Sequence, residues 1–204
     1  MEETILNKAS ELFLAQGFKS VTMDDIATEL GISKKTIYQY YASKLELVEK
    51  TMLFINSKIL HELTCQMSND LDSITEMLEA HRKIDEVLTI NNSASLHQLK
   101  KYYPKIAQKV RSLHLPQYLQ LIEGNIKKGI EQGLFRSDID IEFSSRFFFA
   151  SNIALEDTAF FPEKDFDLIQ IHKLHLEYYL RSIATEKGHQ KIEELKKDRI
   201  KNSN

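Results

Sequence analysis

Glycine and proline, the two residues that most often interrupt a helix, are scarce in this chain, with six glycines and three prolines among 204 residues. The stretches between them carry apolar residues three and four positions apart, which is the period of a helix buried on one side. This pattern predicts an all-α fold without a sheet. The length and the 42% hydrophobic content leave room for a small N-terminal domain and a larger helical-bundle domain.

The segment from Thr22 to Lys44 predicts two short helices joined by a tight turn. The hydroxyl of Thr22 can cap a helix that starts near Met23, and Ser33 can cap the second helix in the same way. Gly31 lies between them, where a helix often ends in the left-handed backbone conformation that glycine adopts without steric cost. The spacing is therefore typical of a helix-turn-helix.

The second helix of this pair has one inward and one outward side. Ile37 and Tyr41 are four residues apart and are expected to face inward. Basic and hydroxyl side chains remain outside, which suits contact with DNA: Lys34, Lys35, Thr36, Tyr38 and Tyr40. The alternative is an ordinary helical hairpin whose lysines are merely solvated.

Further residues favour the DNA reading, because the first fifty residues resemble the tetracycline-repressor (TetR/AcrR) family of bacterial regulators. The resemblance covers roughly residues 2 to 50. It rests on these residues: Thr22, Ile26, Ala27, Gly31, Ile32, Ser33, Thr36, Ile37, Tyr38, Tyr40, Tyr41, Ser43, Lys44 and Leu47. Upstream, a first helix is predicted from the apolar stripe Ile5, Ala9, Leu12 and Phe13.

The resemblance implies a three-helix DNA-binding domain over residues 1–46, an effector-binding and dimerisation domain over 47–185 and a charged tail over 186–204. A fourth helix, capped by Ser43 and running to about Met67, is expected to link the first two domains. The implied function is that of a ligand-responsive regulator, a repressor released from a palindromic operator by a small molecule. The alternative is a helical ligand- or protein-binding dimer that does not bind an operator.

By resemblance, Lys34 and Lys35 read base edges in the major groove. The phosphate contacts are expected at Thr22, Ser33, Thr36, Tyr38, Tyr40 and Lys44. Two features depart from the family: the chain begins Met1-Glu2-Glu3 without a basic arm, and Asp24 and Asp25 place negative charge near the DNA. We therefore expect few phosphate contacts and a shallow dependence of affinity on salt.

The second domain is expected to contain helices near residues 70–90, 95–112 with an interruption at Pro104, 116–132, 140–160 and 165–185. The last two are apolar on more than one side, which predicts a subunit interface in addition to the core; a merely large core is the alternative. Residues expected at the interface are Phe143, Phe147, Ile153, Phe160, Ile171, Leu174 and Tyr178. Residues 186–204 are predicted to form a solvated, fraying helix.

An effector pocket is implied by the resemblance, and side-chain chemistry alone suggests its lining. Aromatic walls with a few polar groups are typical of small-molecule sites. The candidates are Phe54, His61, Met77, His81, His97, Tyr102, Tyr103 and Asn152.

Other functions find little support in the sequence. His61 with Cys65 and His172 with His175 have spacings that can face one ligand, but neither pair has further ligands nearby in the sequence, so no metal or cofactor is expected. No catalytic motif is present, and we do not expect an enzyme. The absence of a membrane-length apolar run and of a signal peptide, with a lone cysteine, predicts a cytoplasmic protein.

Overall fold

The computed structural model describes residues 1–67, 70–90, 93–162 and 164–202, with side chains except for 85–90, 93, 94, 96, 97 and 198–202. Every regular element in these residues is an α-helix, which confirms the predicted all-α fold; Phe135 and Ala184 form a single antiparallel bridge. The helices are α1 Glu2–Gln16, α2 Met23–Leu30, α3 Lys34–Tyr38, α4 Lys44–Met67, α5 Ser73–Ile90, α6 Ser93–Tyr102, α7 Pro104–Glu131, α8 Ile141–Leu155, α9 Leu168–Ile183 and α10 Glu186–Asn202.

The chain forms two compact units. Unit 1 comprises Met1–His61 and Glu86–Pro116, and unit 2 comprises Glu62–Asp85 and Gln117–Asn204. Helices α4, α5 and α7 each contribute residues to both units. The functional boundaries after residues 46 and 185 are a different kind of division and stay predictions.

The core of unit 1 forms where the sequence predicts an apolar stripe along α1. Phe13 is fully buried and stacks on Phe18, with 5.1 Å between the ring centroids. Ile37 from α3 and Leu47 from α4 complete this interior and are also fully buried. Burial of these large side chains, at about 1.5–3 kcal/mol each, fixes the three N-terminal helices against α4.

Several helix boundaries differ from the sequence predictions. The interruption falls at Tyr103, because Pro104 is the first residue of α7. Proline is favoured at this position, since the N–H group that it lacks would have no hydrogen-bond partner within the helix. The helix then continues through Pro116 to Glu131, so the predicted break between 112 and 116 is wrong. One proline removes one hydrogen bond, and the flanking turns of a 28-residue helix maintain its course.

The C-terminal helix α10 is a helix as predicted, but its first half is not simply solvated. Ile192 is buried in the core of unit 2, and the main chain at Gly188 approaches Leu134 so closely that an added Cβ would lie 2.2 Å from its carbonyl oxygen. Arg181 of α9 pairs with Glu193 of α10. The mixed charge of the tail conceals this packing, because only Gly188, Ile192 and the partly buried Leu195 supply it among the described residues.

Candidate nucleic-acid interface and ligand site

Helix α2 begins in a reciprocal capping arrangement. The Thr22 hydroxyl accepts a hydrogen bond from the Asp25 main-chain N–H at 3.2 Å, and the Thr22 N–H and hydroxyl each donate to the Asp25 carboxylate at 2.8 Å. The hydrogen bond from the Thr22 N–H lowers the pKa of Asp25. The cap predicted at Thr22 is confirmed, whereas its phosphate contact stays a prediction.

The turn between α2 and α3 depends on Gly31, which has φ 64° and ψ 29°. Its N–H donates to the Thr28 carbonyl at 3.1 Å, and the Ile32 N–H donates to the Ala27 carbonyl at 3.0 Å. This is the pair of bonds by which a helix ends at a left-handed residue. Ser33 follows directly and caps α3, accepting from the Thr36 N–H at 3.0 Å.

Helix α3 is anchored on its inner side by Ile37 and followed by a second anchor, Tyr41; both are almost completely buried, as predicted. Burial raises the pKa of Tyr41 to about 12. Tyr38 and Tyr40 remain exposed by 44% and 43%, although α3 ends at Tyr38 and Tyr40 lies in the turn beyond it. The helix is thus shorter than predicted, but the inward and outward sides are as expected.

The three lysines predicted to contact DNA are in different environments. The ammonium group of Lys34 lies 2.6 Å from the Asp24 carboxylate, and this hydrogen bond raises the pKa of Lys34. Lys35 is exposed and makes no ion pair or hydrogen bond through its ammonium group with any residue that the structure describes. Lys44 donates to the carbonyl of Lys19 at 2.9 Å, and partial burial lowers its pKa. Lys35 alone of the three is presented without an internal partner among the described residues.

Helix α6 holds the connection between α1 and α2. The Gln98 side-chain oxygen accepts a hydrogen bond from the Lys19 N–H at 3.1 Å, and the Lys19 ammonium lies 4.3 Å from the centre of the Tyr102 ring. The Tyr103 hydroxyl is 3.5 Å from the Phe18 carbonyl. Tyr102 and Tyr103, expected in an effector pocket, therefore contact the connection that precedes the helix-turn-helix.

The remaining ligand candidates are dispersed. His61 is exposed, and Phe54 is half-buried with the Lys58 ammonium 4.2 Å from its ring centre. Met77 packs in the hydrophobic core of unit 2. Asn152 donates to the Phe148 carbonyl of its own helix at 2.8 Å, and the side chain of His97 lies outside the described residues.

His81 belongs to a group of polar side chains within unit 2. Its ring lies edge-on to that of His172, with 6.0 Å between centroids. His175, one turn further along α9, has its Nε2 atom 2.6 Å from the Ser151 hydroxyl of α8. Burial, with the neighbouring His172 and His81, lowers the pKa of His175 to about 4, so its ring is neutral at pH 7. Sequence reasoning noticed each histidine but had no signal that would bring α5 to α9.

The contacts of Ser151 favour one protonation state of the His175 ring. The Ser151 hydroxyl lies 2.6 Å from the Phe147 carbonyl and 3.0 Å from the Phe148 carbonyl, both of which can only accept. With the hydroxyl hydrogen directed at a carbonyl, His175 Nε2 donates to Ser151 and Nδ1 is an acceptor. Nδ1 is buried, has no hydrogen-bond partner among the described residues and belongs to a ring that stacks on Phe148 at 5.3 Å. This atom can accept a hydrogen bond from a bound molecule.

Metal ligands do not converge in the described part of the chain. No group of three or more histidine, cysteine, aspartate or glutamate side chains there has the geometry to hold a metal ion. His61 and Cys65 are both exposed.

Helices α8 and α9 present aromatic side chains to solvent. Phe143 and Phe147 are 67% and 53% exposed and stack with centroids 6.0 Å apart, and Tyr178 is 67% exposed. Phe160 and Leu174 are exposed and Ile153 is half-buried. Ile171 is buried on the inner side of α9, and its place at a subunit interface stays a prediction.

Comparisons with known proteins agree with this geometry. Residues 5–51 match the model of bacterial regulatory proteins, tetR family. The uncharacterized HTH-type transcriptional regulator YvaF of Bacillus subtilis (strain 168) is 33% identical over 104 residues, 50% of this chain and 54% of that protein, so the match spans about half of each. The HTH-type transcriptional repressor KstR2 of Rhodococcus jostii (strain RHA1) is 26% identical over 159 residues, 76% of this chain and 74% of that protein.

The fold also matches solved structures. The transcriptional regulator FadR from Bacillus subtilis in complex with stearoyl-CoA superposes with a TM-score of 0.64 over 90% of this chain and 100% of that chain, at 18% identity. The two relatives named above are an HTH-type transcriptional regulator and an HTH-type transcriptional repressor. Within the described residues, no helix has the length and apolar character needed to cross a membrane.

Proposed function

We propose that this chain, which belongs to the TetR family of bacterial regulatory proteins, is a cytoplasmic homodimeric repressor that leaves a palindromic operator when it binds a small molecule. DNA binding and transcriptional regulation follow from the family. The dimer, the palindrome, repression and the contact residues are the parts that we propose.

One observation carries the DNA-binding part of the proposal. Helix α3 is fixed from within by Ile37 and from its N-terminus by Ser33, while Lys35, Tyr38 and Tyr40 point to solvent. A short rigid helix with an exposed cationic donor and phenolic hydroxyls suits the major groove, where a lysine can donate to guanine and tyrosines can hold phosphates. Thr22, Ser33 and Thr36 add hydroxyls near the helix N-termini for phosphate oxygens.

The effector site is proposed at the bare nitrogen of His175. Its ring stacks on Phe148 and has His172 and His81 as neighbours, and Nδ1 is buried without a hydrogen-bond partner among the described residues. With Nε2 donating to Ser151, Nδ1 is a neutral acceptor beside an aromatic ring, which favours a ligand that has a mostly apolar body and one hydroxyl or N–H group. Of the original candidates, His81, Met77 and Asn152 remain in this proposal because they lie in the same unit.

The dimer is proposed to form through the exposed aromatic side chains of α8 and α9. Phe143, Phe147 and Tyr178 expose large apolar surfaces that a second copy would cover, which is the usual reason for such a patch. A two-fold dimer presents two copies of α3, and so requires two half-sites related by the same symmetry.

Release from DNA is proposed to act through α6. Gln98 and Tyr102 hold Lys19, and Lys19 stands three residues before the Thr22 cap of α2. A ligand that changes the position of α6 would therefore change the start of the helix-turn-helix. Such coupling requires different affinity of the ligand for the two positions.

The proposal is tested by selecting bound sequences from a random duplex library at near-physiological salt. We expect a palindrome to be enriched by the wild-type protein. Binding to that palindrome should depend on protein concentration as expected for a dimer. Small molecules can then be screened for their ability to release the protein from this palindrome. If nothing is enriched and Lys35→Ala behaves like wild type, operator binding is rejected and a ligand- or protein-binding dimer becomes the better account.

A further inference from the structure

Asp24 and Lys34 join the two helices of the DNA-binding motif by an ion pair. Asp24 lies in the first turn of α2, Lys34 is the first residue of α3, and the ammonium nitrogen is 2.6 Å from Oδ2. The two side chains are 64% and 46% exposed. The pair thus lies on the surface, at the N-terminal end of α3, which is the end proposed to contact base edges.

The position of Asp24 favours the ion pair. A carboxylate in the first turn of α2 is stabilised by the positive end of that helix, whereas a lysine at the start of α3 faces the unfavourable end of its own helix. Asp24 offsets that unfavourable interaction for Lys34. Lys35, next in the chain, has no such partner within the described residues.

We propose that Asp24 is a specificity-determining residue that withholds Lys34 from DNA, so that Lys35 is the base-reading lysine of the pair. This inference rests on the proposed DNA-binding role of α3. The Asp24 carboxylate acts as an internal counterion: while it is bound to Lys34, that lysine does not displace a cation from the DNA backbone. Only one of the two adjacent lysines then donates into the groove.

The dependence of DNA affinity on salt concentration measures whether Lys34 is withheld from the DNA. Each phosphate neutralised on double-stranded DNA adds about 0.9 to the slope of log affinity against log salt. Asp24→Asn keeps the side-chain shape and removes the counterion, so we expect the slope on a random-sequence duplex to steepen by about 0.9 per subunit. When the salt concentration is lowered from 1 M to 0.1 M, the affinity of the variant should therefore rise about eightfold more per subunit than that of the wild type.

A double-mutant cycle separates the pair from a general change of charge. In the wild-type background, Lys34→Ala should leave the slope almost unchanged; in the Asp24→Asn background, it should reduce the slope by about 0.9. Glu29→Gln is the matched control, because it removes the same charge from an exposed position on α2. In that background Lys34→Ala should again have little effect.

Three results would overturn the inference. One is a reduction of the slope by about 0.9 when Lys34→Ala is introduced into the wild type. Another is an equal steepening of the slope by Glu29→Gln and by Asp24→Asn. The third needs no DNA: Asp24 raises the pKa of Lys34, so an NMR titration of the Lys34 ammonium that is the same in wild type and Asp24→Asn would show that the pair does not form. If the wild type binds no duplex while the Lys34 titration differs between wild type and Asp24→Asn, the ion pair forms but the proposed DNA-binding function is rejected, and with it this role of the pair.

Discussion

The ammonium group of Lys44 donates a hydrogen bond to the main-chain carbonyl oxygen of Lys19 across 2.9 Å, joining the first residue of α4 to the connection between α1 and α2. Partial burial lowers the pKa of Lys44, in keeping with a side chain that points into the protein surface. The resemblance predicts that this lysine holds a phosphate. Its geometry adds a structural role, because it fixes the segment that leads to the cap of α2.

Lys44→Ala should therefore lower the free energy of unfolding as well as weaken DNA binding. A hydrogen bond to a charged group contributes about 1.5–3 kcal/mol, and we expect a loss near the lower end because the group is partly exposed. Urea unfolding measures the change, with Lys50→Ala, an exposed lysine of the same helix, as control. Equal stability of the two variants would show that the Lys19 contact contributes nothing.

Gly31→Ala should destabilise the DNA-binding motif through backbone strain alone. Its φ of 64° is unfavourable for alanine, while an added Cβ would meet no heavy atom within 4 Å. We expect a loss of about 1 kcal/mol in the free energy of unfolding.

Gly124→Ala is the matched control for that loss. This glycine is also open around its Cβ position but lies inside α7, so alanine should stabilise by about 0.5–1 kcal/mol. Thermal unfolding of both variants gives the comparison, and effects of the same sign would contradict the role of the left-handed turn.

His175 should make the folded protein less stable as the pH is lowered. Its pKa is lowered from 6.5 to about 4 in the folded protein, so the unfolded chain binds more protons between these values. Stability is then full above about pH 6.5 and decreases as the pH falls towards 4. Allowing for partial solvent screening, the decrease from pH 7 to pH 5 should be about 1–2 kcal/mol.

His175→Gln should flatten that pH dependence, and His61→Gln, at an exposed position, should not. Urea unfolding at pH 7 and pH 5 measures both. An NMR titration of wild-type protein adds an independent check, since a His175 pKa near 6.5 would contradict its buried environment.

Phe143→Ser combined with Phe147→Ser should shift a dimer to a monomer. The two rings stack on each other and expose most of their surface, so their loss removes apolar area from the proposed interface without opening the core. Sedimentation gives the oligomeric state, and circular dichroism should show unchanged helix content. Leu113→Ser, an exposed leucine of unit 1, should leave the dimer intact; a wild-type monomer at all concentrations would reject the interface.

Local signals account for what the sequence predicted well. Thr22, Gly31 and Ser33 have their partners three or four residues away, so capping and turn chemistry suffice to place α2 and the start of α3. The inward positions of Ile37 and Tyr41 follow from helical spacing.

Contacts between distant segments account for what the sequence did not predict. Gln98 contacts Lys19 across 79 positions, so nothing in the sequence indicated that Gln98 and Tyr102 of α6 both contact this residue. His81 and His172 belong to different helices, and their approach depends on packing. The pairing of Lys34 with Asp24 was likewise hidden, because it depends on the angle between α2 and α3.

The most direct test of the account compares wild type and Lys35→Ala on a set of duplexes that vary the selected operator one base pair at a time. If α3 reads DNA through Lys35, the variant loses its preference at one symmetry-related base pair in each half-site, by about 1–3 kcal/mol, and keeps the others. Uniform weakening at every position would show that Lys35 contacts only the DNA backbone. That result would contradict the proposal that α3 reads the base sequence through Lys35.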